Sequence, residues 1–205
     1  MRERDAQERE FATSLARSGL KYLGMVAPST PSTSPTPLIP PNLASFANST
    51  AAEGREVAVS LRIGLPDLPE RVNAEWYGLS TEQGLFSAAA PEFLLSVPGN
   101  VAESPHGLWW ARVTLEAEWD LAGAGAAAGV TGSGWGYPEF VMLSVAGDVI
   151  VRGSTGEEYT DCVALRDPQR IRTLRDLGAD MAHWPHLPKP ARDAVSRWLE
   201  HTETP

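Results

Sequence analysis

From position 109 to position 121 every odd residue is apolar or small: Trp109, Ala111, Val113, Leu115, Ala117, Trp119 and Leu121. The even residues from Arg112 onward are Arg112, Thr114, Glu116, Glu118 and Asp120. Successive side chains of an extended chain point to opposite faces, so a period of two predicts a strand with one buried and one wet face. Glu116, Glu118 and Asp120 then form a carboxylate row on the wet face. Val57, Val59, Leu61 and Ile63 alternate with Glu56, Ala58, Ser60 and Arg62 and predict a second amphipathic strand. Val72, Ala74 and Trp76 alternate with Asn73, Glu75 and Tyr77 and predict a third, stopped by Gly78. Residues 93–97 predict a short strand, and residues 140–145, 149–152 and 159–165 a meander with turns at Ala146-Gly147-Asp148 and Gly153-Ser154-Thr155-Gly156. In the last strand Tyr159, Asp161, Val163 and Leu165 share one face, and Thr160, Cys162 and Ala164 the other.

Helical spacing is confined to the two ends. Residues 3–18 carry mixed charges and a narrow apolar stripe centred on Phe11 and Leu15, extended loosely by Leu20 and Leu23, with Gly19 and Gly24 as breaks. Asp167-Pro168 predicts a helix start, with Ile171, Leu174 and Leu177 facing inward and Gly178 as its cap. A last helix from about Pro190 carries Ala191, Ala194, Val195, Trp198 and Leu199 at helical spacing. These elements define an α+β chain in which an antiparallel sheet or small sandwich holds two C-terminal helices. Its parts are an N-terminal helix in residues 1–26, a proline-rich arm or linker in 27–54, and a core in 55–205 with sheet to 165 and helices in 167–201. From Ala27 to Ala52 no residue is charged, and Pro28, Pro31, Pro35, Pro37, Pro40 and Pro41 exclude a helix or central strand. Leu38, Ile39 and Phe46 are the arm's candidate apolar anchors, alongside Leu43.

Charge narrows the partners. Of the net −9, residues 27–165 hold sixteen acidic and five basic side chains, while the two ends are nearly balanced. Such a field repels nucleic acid and anionic membrane and suits a basic protein, although ordinary solubility is the simpler explanation. No apolar run is long enough to cross a membrane, the N-terminus has no secretory apolar segment, and a single cysteine allows no intrachain disulfide. A soluble, cytoplasmic protein is expected, and the arginine-, alanine- and glycine-rich composition is that of a GC-rich bacterial or phage genome.

No residue set declares chemistry. His183-Trp184-Pro185-His186 with Asp180 is the nearest approach to a metal motif, but the surrounding prolines make it a loop. Cys162 lies on the small-residue face of a strand without an activating neighbour. Gly123-x-Gly125-x-x-x-Gly129 follows an acid-faced strand and precedes no long helix, so residues 122–136 read as a mobile hairpin loop, with Trp135 and Tyr137 placed to pin it to the sheet. No cofactor or metal is expected. The leading expectation is a non-enzymatic protein-binding component. It is either an assembly subunit clasping a neighbour with its helix and arm, or an acidic inhibitor or immunity-type protein, binding a basic protein or copies of itself through Phe11, Leu15, Leu38, Ile39, Phe46, Glu116, Glu118 and Asp120. The alternative is a small enzyme or ligand-binding domain with a pocket under the Gly/Ala loop, using His106, Asp161 or the His183/His186 pair.

Overall fold

The strands assemble into one antiparallel sheet of seven, covered by helices on both faces, in a computed structural model that describes residues 2–26, 37–48, 54–98 and 107–202. In chain order the elements are helix α1 (Arg2–Arg17), strand β1 (Leu20–Val26), the short helix α2 (Pro41–Ala44), β2 (Glu56–Arg62), helix α3 (Leu68–Gln83), β3 (Glu92–Pro98) and β4 (Leu108–Leu115). A π-helical turn (Leu121–Gly125) and the two-stranded hairpin β5 (Gly132–Gly134) and β6 (Tyr137–Pro138) follow. Then come β7 (Phe140–Ser144), β8 (Val149–Thr155), β9 (Tyr159–Arg166), helix α4 (Arg172–Met181) and helix α5 (Lys189–Thr202). The sheet order is β1-β4-β3-β7-β8-β9-β2, so β1 and β2 are its edges. The α+β class with an antiparallel core, an N-terminal helix and two C-terminal helices is as expected.

Each face of the sheet builds its own core. Ala111, Val113, Leu115, Phe93, Leu95, Met142, Val151 and Ala164 point to one side, where Leu15 of α1 and Val72, Trp76 and Leu79 of α3 pack on them. Leu94, Trp110, Leu143, Ile150, Val163 and Leu165 point to the other, beneath Leu43, Leu174, Val195 and Trp198 of α2, α4 and α5. Covering both faces buries the central strand β7 along its whole length. Trp76 is the hub of the first core, its ring centroid 5.3 Å from that of Trp119, 5.6 Å from Phe86 and 6.0 Å from Phe93.

Three sequence expectations are corrected. The predicted strand at residues 72–77 is the middle of α3, where Pro69 sits in the first turn, Leu68, Val72, Trp76 and Leu79 repeat every three or four residues, and Gly84 (φ 87°) ends the helix. The long strand stops at Leu115 rather than Leu121, because both neighbours run out there: β1 begins at Leu20 opposite Leu115, and β3 begins at Glu92 opposite Thr114. Leu20 and Leu23 belong to the edge strand β1 and not to an extended first helix. Two details also shift. Residues 153–155 continue β8, and α4 runs through Gly178 to Met181. A side chain at Gly178 would sit 3.2 Å from Leu43 and 3.3 Å from Leu199, so this glycine serves close packing and does not cap the helix.

The arm turns back on its own domain where it is described. Ile39 is buried, its carbonyl accepts from Trp110 Nε1 at 2.9 Å, and Asn42 Oδ1 accepts from the Leu108 N–H at 3.1 Å. Replacing Trp76 by alanine removes the hub of one core, and urea unfolding is expected to show a loss of about 3–5 kcal/mol.

Candidate protein-interaction surface

The carboxylate row of the sequence is split by the end of β4. The chain leaves the sheet after Leu115 and crosses the turn between α1 and β1: Glu116 N–H donates to the Gly19 carbonyl at 2.9 Å and Asp120 N–H to the Ser18 carbonyl at 3.1 Å. Glu118 faces solvent. Glu116 borders a surface depression of 440 Å³ beside the stacked rings of Tyr77 and Trp119. Asp120 turns inward as a cap, accepting the N–H groups of Gly123 and Ala124 at 2.7 Å each and Asn73 Nδ2 at 2.7 Å. Partial burial opposes its charge, but the bonds from Ala124, Asn73 and Gly123 together outweigh that cost and hold the carboxyl below the usual carboxylate range. Asn73 Oδ1 in turn accepts the N–H groups of Leu121 and Ala122 at 3.1 and 2.9 Å. One Asn–Asp pair thereby satisfies four amides at the start of the π-helical turn.

The expected mobile loop is therefore a tied structure. Thr131 Oγ1 donates to the Leu121 carbonyl at 2.6 Å, Gly136 N–H to Ala122 at 2.8 Å and Glu139 N–H to Thr131 at 2.8 Å. A side chain at Gly125 would lie 2.4 Å from Thr131 Oγ1, and one at Gly132 would lie 2.2 Å from the Tyr137 carbonyl, so these glycines are filled space rather than the roof of a cavity. The aromatic residues do not pin the hairpin. Trp135 and Tyr137 stand 58% and 42% exposed while backbone bonds hold the hairpin down.

The hairpin lies at one end of the sheet. Gly136 faces Leu68 and Pro69 at the start of α3, and Thr155 Oγ1 donates to the Pro138 carbonyl at 3.0 Å and meets Thr160 Oγ1 at 3.3 Å. These contacts bring Tyr137, next to Pro138, and Tyr159, next to Thr160 and itself 46% exposed, to the same end. Glu70, Glu139, Glu157 and Glu158, all exposed, lie on the same segments. Two exposed rings, Trp135 and Tyr137, thus stand on a preorganised frame at the end of the sheet that also carries these carboxylates, while Tyr159 shares the face of Val163 and Leu165, opposite the one on which the hairpin meets α3. Interfaces draw their energy from such aromatic anchors more than from charge rows.

The residues singled out from the sequence are dispersed. Leu15 and Ile39 are buried in the two cores of the chain itself, and Phe11 meets Tyr22 edge to face at 5.7 Å. Leu38 is half-buried beside the second core, and Phe46 is exposed with its ring 6.0 Å from Trp184. His183 and His186 are exposed, the latter stacked on Trp184, and among the described residues no three His, Cys, Asp or Glu side chains converge as metal ligands. Asp161 accepts from Ser60 Oγ. Cys162 is buried, and desolvation, with Asp161 and Glu75 adding to it, pushes its thiol up to about 12. His106 lies outside the described residues. Trp135 and Tyr137 carry no binding signal in the sequence, because Gly132-Ser133-Gly134-Trp135-Gly136-Tyr137 has no apolar period to interrupt.

No family model, curated protein or solved structure matches this chain. Among the described residues no helix is long and apolar enough to cross a membrane.

Asp120 has a lowered folded pKa, so its contribution is complete above the unfolded carboxyl value, about 3.9, and is lost as pH falls through the folded value. Asp120→Asn is expected to lower stability at neutral pH by about 1 kcal/mol, as for a lost cap. The gap between the variant and the parent protein should close on acidification, as read from urea midpoints against pH.

Proposed function

We propose that the chain is a non-enzymatic protein-binding component that takes a basic protein partner at the aromatic, acid-rimmed end of its sheet. The observation that carries this reading is the exposure of Trp135 and Tyr137 on a hairpin whose backbone is tied to Ala122, Thr131 and Thr155. A large ring held in place before binding loses little conformational freedom on contact, which is why rigid Trp and Tyr side chains recur as anchors. The surrounding carboxylates add long-range attraction for a basic surface and raise its association rate.

Of the two forms expected from the sequence, the geometry favours an acidic protein that covers a basic partner. An assembly subunit clasping its neighbour through the first helix and arm needs Leu15 and Ile39 for that neighbour, and both are already spent in the chain's own cores. The enzymatic alternative draws no support from Cys162, whose thiol stays protonated far above neutral pH, or from Asp161, which serves Ser60.

The test is affinity capture with the intact protein from its cell of origin, beside the Trp135→Ala/Tyr137→Ala variant. A basic protein should be retained by the parent and bound at least about tenfold more weakly by the variant, while the variant's stability stays within about 0.5 kcal/mol. Neutralising Glu139, Glu157 and Glu158 should slow association at low salt and change little at high salt. Retention untouched by the double substitution, or no retained protein at all, would overturn the reading.

A further inference from the structure

The two edges of the sheet are built differently. At β1 the pairing with β4 slips between Tyr22 and Gly24, and Lys21 sits on the strand, so this edge carries the irregularity and the charge that discourage pairing with another chain. At β2 the register with β9 is regular from Glu56 opposite Leu165 to Arg62 opposite Tyr159, with no bulge, proline or lysine. Ile63 N–H donates to the Glu158 carbonyl at 2.8 Å, and Ile63 and Glu158 continue that register. Residues that exchange bonds across an antiparallel pair alternate along the strand, so the odd residues of β2 aim their backbone groups at β9. Those of Glu56, Ala58, Ser60 and Arg62 aim at the open edge, where no strand pairs with them among the described residues.

The sequence of this edge is complementary to itself. Turned about a twofold axis through Val59, β2 meets a second β2 with Glu56 opposite Arg62, Val57 opposite Leu61 and Ala58 opposite Ser60. This register brings together the residues whose backbone groups are free: Glu56 with Arg62 and Ala58 with Ser60 form hydrogen-bonded pairs, and Val59 meets Val59 in the closer, non-bonded position. Side chains match on both faces. Val57, which is 43% exposed, gains Leu61 of the second copy, and the valines meet on the axis. On the opposite face the small pair Ala58 and Ser60 lies between two Glu–Arg pairs. Arg62 is exposed, and among the described residues Arg62 makes no ion pair and Glu56 Oε2, shielded from solvent, has no donor. We infer that β2 is a homodimer edge, joining two copies of this chain into one continuous antiparallel sheet through the Val59-centred register. The pairing is isologous and closes on itself, so it consumes the one regular open edge and cannot propagate into a fibre. It is independent of the partner surface at the hairpin.

The experiment is solution mass by light scattering and sedimentation of the full chain at about 100 µM, well above a micromolar dissociation constant. Three charge variants are measured beside the parent: Glu56→Arg, Arg62→Glu and the two combined. The parent should be a dimer. Each single reversal places like charges opposite one another twice per dimer and should raise the dissociation constant by about tenfold or more. The combined exchange restores opposite charges in the same register and should return the mass to that of the dimer, which a variant that merely misfolds cannot do; circular dichroism of each single variant checks its fold. A monomeric parent would overturn the inference, whatever else occupies the edge. So would a dimer indifferent to the single reversals, or a combined exchange that stays monomeric.

Discussion

The crossing of residues 116–120 over the Ser18-Gly19 turn is the constraint on which the rest of the structure depends. At that point α1 ends, β1 begins, β4 ends, and the chain sets off toward the hairpin. Two backbone bonds hold it, from Glu116 to Gly19 and from Asp120 to Ser18. No side chain fits at position 19: its φ is +71°, and a Cβ there would lie 2.2 Å from the Glu118 carbonyl oxygen. The same crossing presses Gly125 against Ser18 and delivers Asp120 to Asn73 on α3. One close approach of two backbones therefore sets the start of an edge strand, the length of β4 and the seat of the hairpin.

This explains which elements the sequence announces and which it conceals. Alternation finds β4 as far as Leu115, β9 and the edge strand β2, while β3, β7 and β8 are announced by short apolar runs between turn residues. It overruns beyond Leu115 because the pattern at Ala117, Trp119 and Leu121 says nothing about whether a neighbouring strand is still there. It fails at residues 72–77 because Val72 and Trp76 are four apart, a spacing that suits one face of a strand and one face of a helix alike. The signals that decide are outside that window, in Pro69 and in Gly84, whose left-handed backbone ends the helix sixteen residues after it starts. β1 is hidden for another reason. Its bulge at Gly24 breaks the period, and its place in the sheet is given by a strand almost ninety residues further on.

The candidate surface was harder to read than the fold. Three acidic residues two apart in sequence suggest one shared face, yet Glu116 borders a depression, Glu118 faces solvent and Asp120 caps a turn. Their separation follows from the end of β4, which is a tertiary event. Conversely, Trp135 and Tyr137 look like anchors for a floppy glycine-rich loop until Asn73, Thr131 and Thr155 are seen to hold the backbone without them. Freed from that duty, the rings are exposed. Apolar residues in the first helix and the arm carry the opposite lesson: a thin stripe that needs a partner surface can find it on its own sheet, as Leu15 and Ile39 do.

The two surfaces proposed for this chain are geometrically compatible. Tyr159 stands opposite Arg62, so the hairpin end of the sheet is the Arg62 end of β2. Antiparallel pairing through Val59 sets the Arg62 end of one strand beside the Glu56 end of the other. The two hairpin ends then lie at opposite ends of the shared sheet. A dimer so formed presents two equivalent acid-rimmed sites. A partner tethered at both sites must therefore span the shared sheet from one end to the other.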